Sequence, residues 1–119
     1  MKVIYIVAKF RGPDAWAVEE NIRKAERVGF DVACYGMSPL IPHTNTRFFN
    51  GTLTEQFWLD ATMALLRKCD AVITHPNWTD SEGGKAEVKE ALRLGIPVFY
   101  EITSLVDWLH FQQALAEAK

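Results

Sequence analysis

The chain alternates short apolar runs with longer stretches whose apolar residues recur every three or four positions. Val3-Ile4-Tyr5-Ile6-Val7-Ala8 is continuous and rich in branched residues, as in a strand buried on both faces of a parallel sheet. It stops at the turn-rich Lys9-Phe10-Arg11-Gly12-Pro13-Asp14, where Asp14 is suited to cap a helix. Ala17, Val18, Ile22, Ala25, Val28, Val32 and Tyr35 then follow at helical spacing. Gly29 to Tyr35 also alternates as a strand would. One long helix ending at Gly36 is favoured, because Pro39-Leu40-Ile41-Pro42 then supplies the second strand. His43 to Gly51 reads as a polar loop carrying the pair Phe48-Phe49.

Thr52 and Glu55 have capping-box spacing and open a helix with Phe57, Trp58, Ala61, Met63, Leu65 and Leu66 on its apolar face. It closes at Arg67-Lys68, cations suited to a helix C-terminus. Ala71-Val72-Ile73-Thr74-His75 is the third strand, and a polar loop leads into a helix that reaches Leu94. Gly95 fits a left-handed stop. Ile96 to Tyr100 is the fourth strand and Ser104 to Ala118 a last amphipathic helix.

This alternation predicts a single α/β domain over residues 1–119. The expected architecture is a Rossmann/flavodoxin-like parallel sheet of four to five strands with helices on both faces, in the order 2-1-3-4. Such sheets bind ligands outside the carboxyl ends of their strands, where the order reverses. Here that crevice is flanked by the loops Lys9 to Asp14 and His75 to Gly84.

Local chemistry points to the same place. In Thr79-Asp80-Ser81-Glu82-Gly83-Gly84-Lys85-Ala86-Glu87-Val88, either Asp80 or Ser81 can cap the helix. Two glycines in a first turn cost roughly 1 kcal/mol each against alanine. Their usual reason is close approach of a ligand to bare N–H groups at a helix start. Glu87, in the second turn, is a candidate nucleophile or general base, against a solvated carboxylate on a helix that also carries Glu82, Lys85, Lys89 and Glu90. Arg11 and Gly12 are candidates for gripping a phosphate or carboxylate, against a loop arginine in water. Tyr5 either presents its hydroxyl to the crevice or is simply a core tyrosine. His43, Asn45 and Arg47 are candidates for a sugar or base contact, against a hydrogen-bonded turn. Trp78 reads as an exposed loop tryptophan available for stacking on a base. Asp60 is expected at the surface.

Composition narrows the classes further. With 119 residues, 49% of them hydrophobic, and a net charge of −2, the chain has the makings of an ordinary globular core. No basic block or basic aromatic stripe points to nucleic acid. No apolar run is long enough for a bilayer, and Met1-Lys2 leads straight into a strand rather than a signal peptide. Cys34 and Cys69 read as buried free thiols of a cytoplasmic protein. His43, His75 and His110 have no ligand spacing, so no metal is expected. No phosphate-loop lysine, nucleophile elbow or dinucleotide fingerprint is present, so no cofactor is expected.

Three stretches carry a family resemblance. Tyr5 to Gly12, the Cys69-Asp70-Ala71-Val72 lead into the third strand, and Ser81-x-Gly83-Gly84-x-Ala86-Glu87 together resemble the nucleoside 2-deoxyribosyltransferase superfamily. Pro42-His43-Thr44-Asn45-Thr46 and the short chain are similar to a small branch of it. The resemblance implies cleavage or transfer at the N-glycosidic bond of a nucleoside or nucleoside 5′-monophosphate. Glu87 would be the nucleophile, with Tyr5 beside it, and an oxocarbenium-like transition state would lead to a covalent glycosyl-enzyme. Arg11, Gly12, Ser81 and Gly83 would surround a 5′-phosphate, and subunits of a homo-oligomer (a dimer or higher) would complete each other's sites.

Two positions depart from the pattern. Ala8-Lys9 stands where relatives carry glycine and then serine or proline, and the aspartate that assists the leaving group falls near Thr62. Asp60 is two residues away, roughly 200° around a helix. The enzyme reading therefore stands beside a second, a nucleotide-binding module without efficient catalysis. A purely structural role ranks last.

Overall fold

The computed structural model describes residues 1–49 and 51–118; Asn50, in the polar loop, lies outside the described residues. Four parallel strands, β1 (Val3–Val7), β2 (Ser38–Leu40), β3 (Ala71–Thr74) and β4 (Val98–Phe99), form one sheet in the order β2-β1-β3-β4. This is the order expected from the alternation of elements. β1 is central because its residues are apolar at every position: Ile4 and Ile6 face one side of the sheet, Tyr5 and Val7 the other.

Helices cover both faces. On one side Ile4, Ile6, Ala71 and Ile73 pack against Ala25 and Val32 of α1 (Ala15–Cys34) and Leu105 and Leu109 of α5 (Ile102–Ala118). On the other, Tyr5, Val7 and Val72 pack against Leu66 of α3 (Glu55–Leu66) and Val88 and Ala91 of α4 (Glu82–Leu94). The expected long helix is observed as α1: Asp14 accepts from the Ala17 N–H at 2.8 Å, and Gly36 follows the helix at φ 84°. Gly95 closes α4 at φ 74°, as expected of a left-handed stop.

Several sequence expectations shift. The second strand lies at Ser38–Leu40 rather than Pro39 to Pro42, because pairing with β1 sets Val3 opposite Ser38 and Tyr5 opposite Leu40. Pro42 instead opens the short helix α2 (Pro42–Asn45), where a missing N–H is harmless, so His43 and Asn45 are helical rather than looped. The α3 cap is Thr54, which accepts from the Phe57 N–H at 3.1 Å, whereas Thr52 donates to the Phe49 carbonyl. Only Leu66 of α3 is fully buried, so most of its apolar face is left partly open. Cys69 is buried as expected, but Cys34 is exposed: it stands two residues, roughly 200° of helix, from the inward Val32. No described helix is long and apolar enough to cross a membrane.

Candidate active site

The strongest polar feature of the interior joins β1 to α4. Tyr5 is wholly buried, and its hydroxyl donates to Glu87 Oε2. Strand alternation turns Tyr5 toward the α3–α4 face, and helical spacing places Glu87 next to the inward Val88. Tyr5 is thus a core tyrosine, with its hydroxyl bonded to Glu87.

Burial of the Glu87 carboxyl pushes its pKa up to about 7, against the downward pull of the Tyr5 hydroxyl. Burial first, and then the charge of Glu87, hold the Tyr5 phenol well above its usual value. The Thr62 hydroxyl of α3, which donates to the Leu59 carbonyl at 2.9 Å, bears on that phenol as well. Thr62 lies near the place at which the resemblance puts an aspartate. Asp60 is exposed and accepts from Gln56 Nε2 at 2.8 Å, as its surface assignment requires.

Ser81, not Asp80, caps α4: its Oγ accepts from the Gly84 N–H at 3.0 Å. The paired glycines have different reasons. A Cβ on Gly84 would lie 3.0 Å from the Trp78 carbonyl oxygen, so Gly84 serves packing of the chain on itself. A Cβ on Gly83 would meet nothing closer than Ser81 Oγ at 3.8 Å. Gly83 lies one turn before Glu87, and helical side chains lean toward the N-terminus. The Gly83 backbone is thus left bare one turn before Glu87.

The loop after β1 is pinned from three elements. Asn77, in the 3-10 turn Pro76–Asp80, accepts from the Lys9 N–H at 3.0 Å. Asn21 of α1 donates to the Phe10 and Arg11 carbonyls, both at 3.1 Å. His43 Nε2 lies 3.0 Å from the Lys9 carbonyl, with its ring edge-on to Phe10, and burial lowers its pKa. A neutral ring whose Nε2–H donates to that carbonyl fits this setting. His43 thus supports the loop from beneath, the hydrogen-bonded alternative of the sequence reading. Asn45 is exposed.

Arg11 is exposed and paired with Glu55 at the start of α3. Gly12 packs on α1, where a Cβ would lie 2.6 Å from that of Ala17. Gly12 and Arg47 border a concavity of about 380 Å³ against α1, apart from the Tyr5–Glu87 pair. Arg47 pairs with Glu19 of α1. Trp78 is a correction: it is half-buried, packed on the α3–α4 core with its ring 5.7 Å from that of Tyr100, because the 3-10 turn folds it inward. Among the described residues no cluster of His, Cys, Asp and Glu is arranged for a metal.

Sequence reasoning missed Asn21 and Asn77. Asn21 had a signal, since it falls on the apolar stripe between Val18 and Ala25, where a buried polar group needs a partner. Asn77 had none, because its role depends on two loops meeting across the sheet.

Solved structures of two enzymes share this architecture. The 2-deoxyribosyltransferase of the psychrotolerant bacterium Bacillus psychrosaccharolyticus superposes with a TM-score of 0.58 at 19% identity, over 81% of this chain and 69% of that one. The 2-deoxyribosyltransferase of Leishmania mexicana gives 0.58 at 21%, over 84% of this chain and 64% of that one. The chain thus spans about two thirds of the length of these neighbours, and its fold is 2-deoxyribosyltransferase-like. No curated protein matches it. A family model matches residues 2–101, from just before β1 to two residues past β4, and the chain belongs to the family that it describes, the Domain of unknown function DUF7768.

Proposed function

We propose that the protein acts on the N-glycosidic bond of a nucleoside or nucleoside 5′-monophosphate, as an N-glycosidase or deoxyribosyltransferase-like enzyme. Glu87 is the nucleophile and Tyr5 holds it. The observation that carries this reading is the hydrogen bond from the buried Tyr5 to the half-buried Glu87, one helical turn beyond Gly83, where a Cβ would meet nothing closer than Ser81 Oγ at 3.8 Å. A carboxylate so held is oriented by a single donor, and its rotamer is fixed before substrate arrives.

Ser81 and Gly83 fit the role of a sugar or phosphate seat at the start of α4. Arg11 fits that of an anion clamp, because its exposed pairing with Glu55 is worth only about 0–1 kcal/mol and is readily exchanged for a phosphate. Gly12 lets the loop approach α1, and Gly84 lets α4 approach the Trp78 carbonyl. His43 acts on the site through the Lys9 carbonyl. Asn45 and Trp78 border the same end of the sheet. Exposed Phe48, Phe49 and Phe57 fit a homo-oligomer contact, which light scattering at micromolar concentration checks.

The test is release of free base from a panel of nucleosides and 5′-monophosphates by wild type, Glu87→Ala and Glu87→Gln. Loss of about 10⁴-fold in both variants is expected; unchanged turnover in either sinks the assignment. A second reading, a nucleotide-binding module, is favoured by one observation: Thr62, not a carboxylate, stands by the Tyr5 phenol. Nucleotide binding without product over long incubation would select it.

A further inference from the structure

Departure of a neutral nucleobase from an anomeric carbon needs a proton at its ring nitrogen, and the site is poor in donors for that proton. Among the described residues the polar groups that bear on the pair are the Tyr5 phenol, engaged with Glu87, the Thr62 hydroxyl, which donates to the Leu59 carbonyl, and the Cys69 thiol, which donates to the Leu65 carbonyl. Asp60, the nearest acid along α3, is exposed and bonded to Gln56.

No arginine or lysine among the described residues pairs with Glu87 itself: Arg11 pairs with Glu55, Lys85 with Glu82, and Arg67 and Arg93 with Glu90. Among the described residues Glu87 has only the Tyr5 hydroxyl as partner, and burial is what disfavours its charged form. A lone carboxylate in such surroundings gains most from a positively charged ligand.

We infer that the substrate is an N-glycoside whose heterocycle is already cationic, a pyridinium or N-alkylated purine bonded to the sugar through nitrogen. The inference rests on the proposed N-glycosidic chemistry of Glu87 and specifies its substrate class. The Glu87 carboxylate forms a bond to the anomeric carbon as the carbon–nitrogen bond breaks. The electron pair of that bond returns to the ring, which leaves neutral and takes up no proton. Water then replaces the carboxylate at the same carbon, giving the free sugar and releasing one proton. No acid is required, so a threonine serves where a carboxylate would otherwise stand.

The test compares cationic N-glycosides (nicotinamide riboside, its 5′-monophosphate and 7-methylguanosine) with neutral ones (inosine, adenosine 5′-monophosphate and thymidine), with free base measured by chromatography. Wild type is expected to cleave the cationic set about 10²–10⁴-fold faster relative to uncatalysed rates, the usual contribution of acid catalysis. Thr62→Asp is expected to raise cleavage of the neutral set relative to that of the cationic set. Neutral substrates cleaved within tenfold of cationic ones, in a Glu87-dependent manner, would overturn this inference and leave the Glu87 chemistry standing. That outcome is the one expected if a second copy of the chain delivers a proton donor. Cleavage that survives Glu87→Gln, or no cleavage of either set, would overturn both.

Discussion

Glu87 is a half-buried carboxylate on which the proposed chemistry turns. With its pKa pushed up to about 7, it is about half ionised at neutral pH, and only the ionised form attacks a carbon centre. Activity as kcat/KM is therefore expected to rise through about pH 7. Since the Tyr5 hydroxyl is what pulls that pKa down, Tyr5→Phe should move the limb to higher pH as well as slow turnover. A pH–rate profile of both proteins checks this; an unmoved limb would separate Tyr5 from the titrating group. Stability runs the opposite way. Below the ordinary carboxylate value of 4.5 the folded and unfolded chains both hold the proton, and above about 7 neither does. Between these the unfolded chain binds less proton, so stability falls as pH rises across the window. Glu87→Gln removes the penalty, and urea denaturation should find it gaining on wild type by roughly 2–3 kcal/mol from pH 4 to pH 8.

At the scale of elements, the start of α4 was legible because its signals are local. A serine three residues before Gly84 and a glycine after Leu94 satisfy orphan backbone groups from within the same few residues. Ser81→Ala should cost about 1 kcal/mol, read as a shift in the urea midpoint. The two glycines separate packing from access. Gly83→Ala has room and should stabilise α4 by about 0.5–1 kcal/mol while weakening ligand binding, which thermal shift with and without nucleotide would show together. A gain in stability with no change in binding would remove Gly83 from the approach to Glu87. Gly84→Ala meets a backbone carbonyl at 3.0 Å, so its helix gain is offset by the clash. The elements misread in the sequence are those set by register or by side-chain hydrogen bonds. β2 takes its bounds from its register with β1. The 3-10 turn that folds Trp78 inward depends on His75 Nδ1 accepting from the Asn77 N–H at 3.0 Å. Neither is written in hydrophobic period.

Across the whole molecule, strand order and the two helix layers followed from alternation of apolar runs with amphipathic stretches, since β1 is apolar on both faces and must lie inside. That topology brings Tyr5 and Glu87, 82 positions apart in the chain, into one hydrogen bond. The pairing is invisible to spacing, and it was the resemblance in Ser81-x-Gly83-Gly84-x-Ala86-Glu87 that set the two residues together. What no local pattern revealed is the clamp of Asn21, Asn77 and His43 on the Lys9–Arg11 loop, which arises only where three elements converge. The shared fold of the two 2-deoxyribosyltransferases supports the architecture, while the chemistry rests on this one pair. Its most direct test is intact-protein mass spectrometry after incubation with cationic and neutral nucleosides and their 5′-monophosphates, with free base followed in parallel. A sugar-sized adduct that maps to Glu87, accompanies base release and is lost in Glu87→Ala is the expected result. Base release at an undiminished rate from Glu87→Ala, with no adduct on either protein, would contradict it.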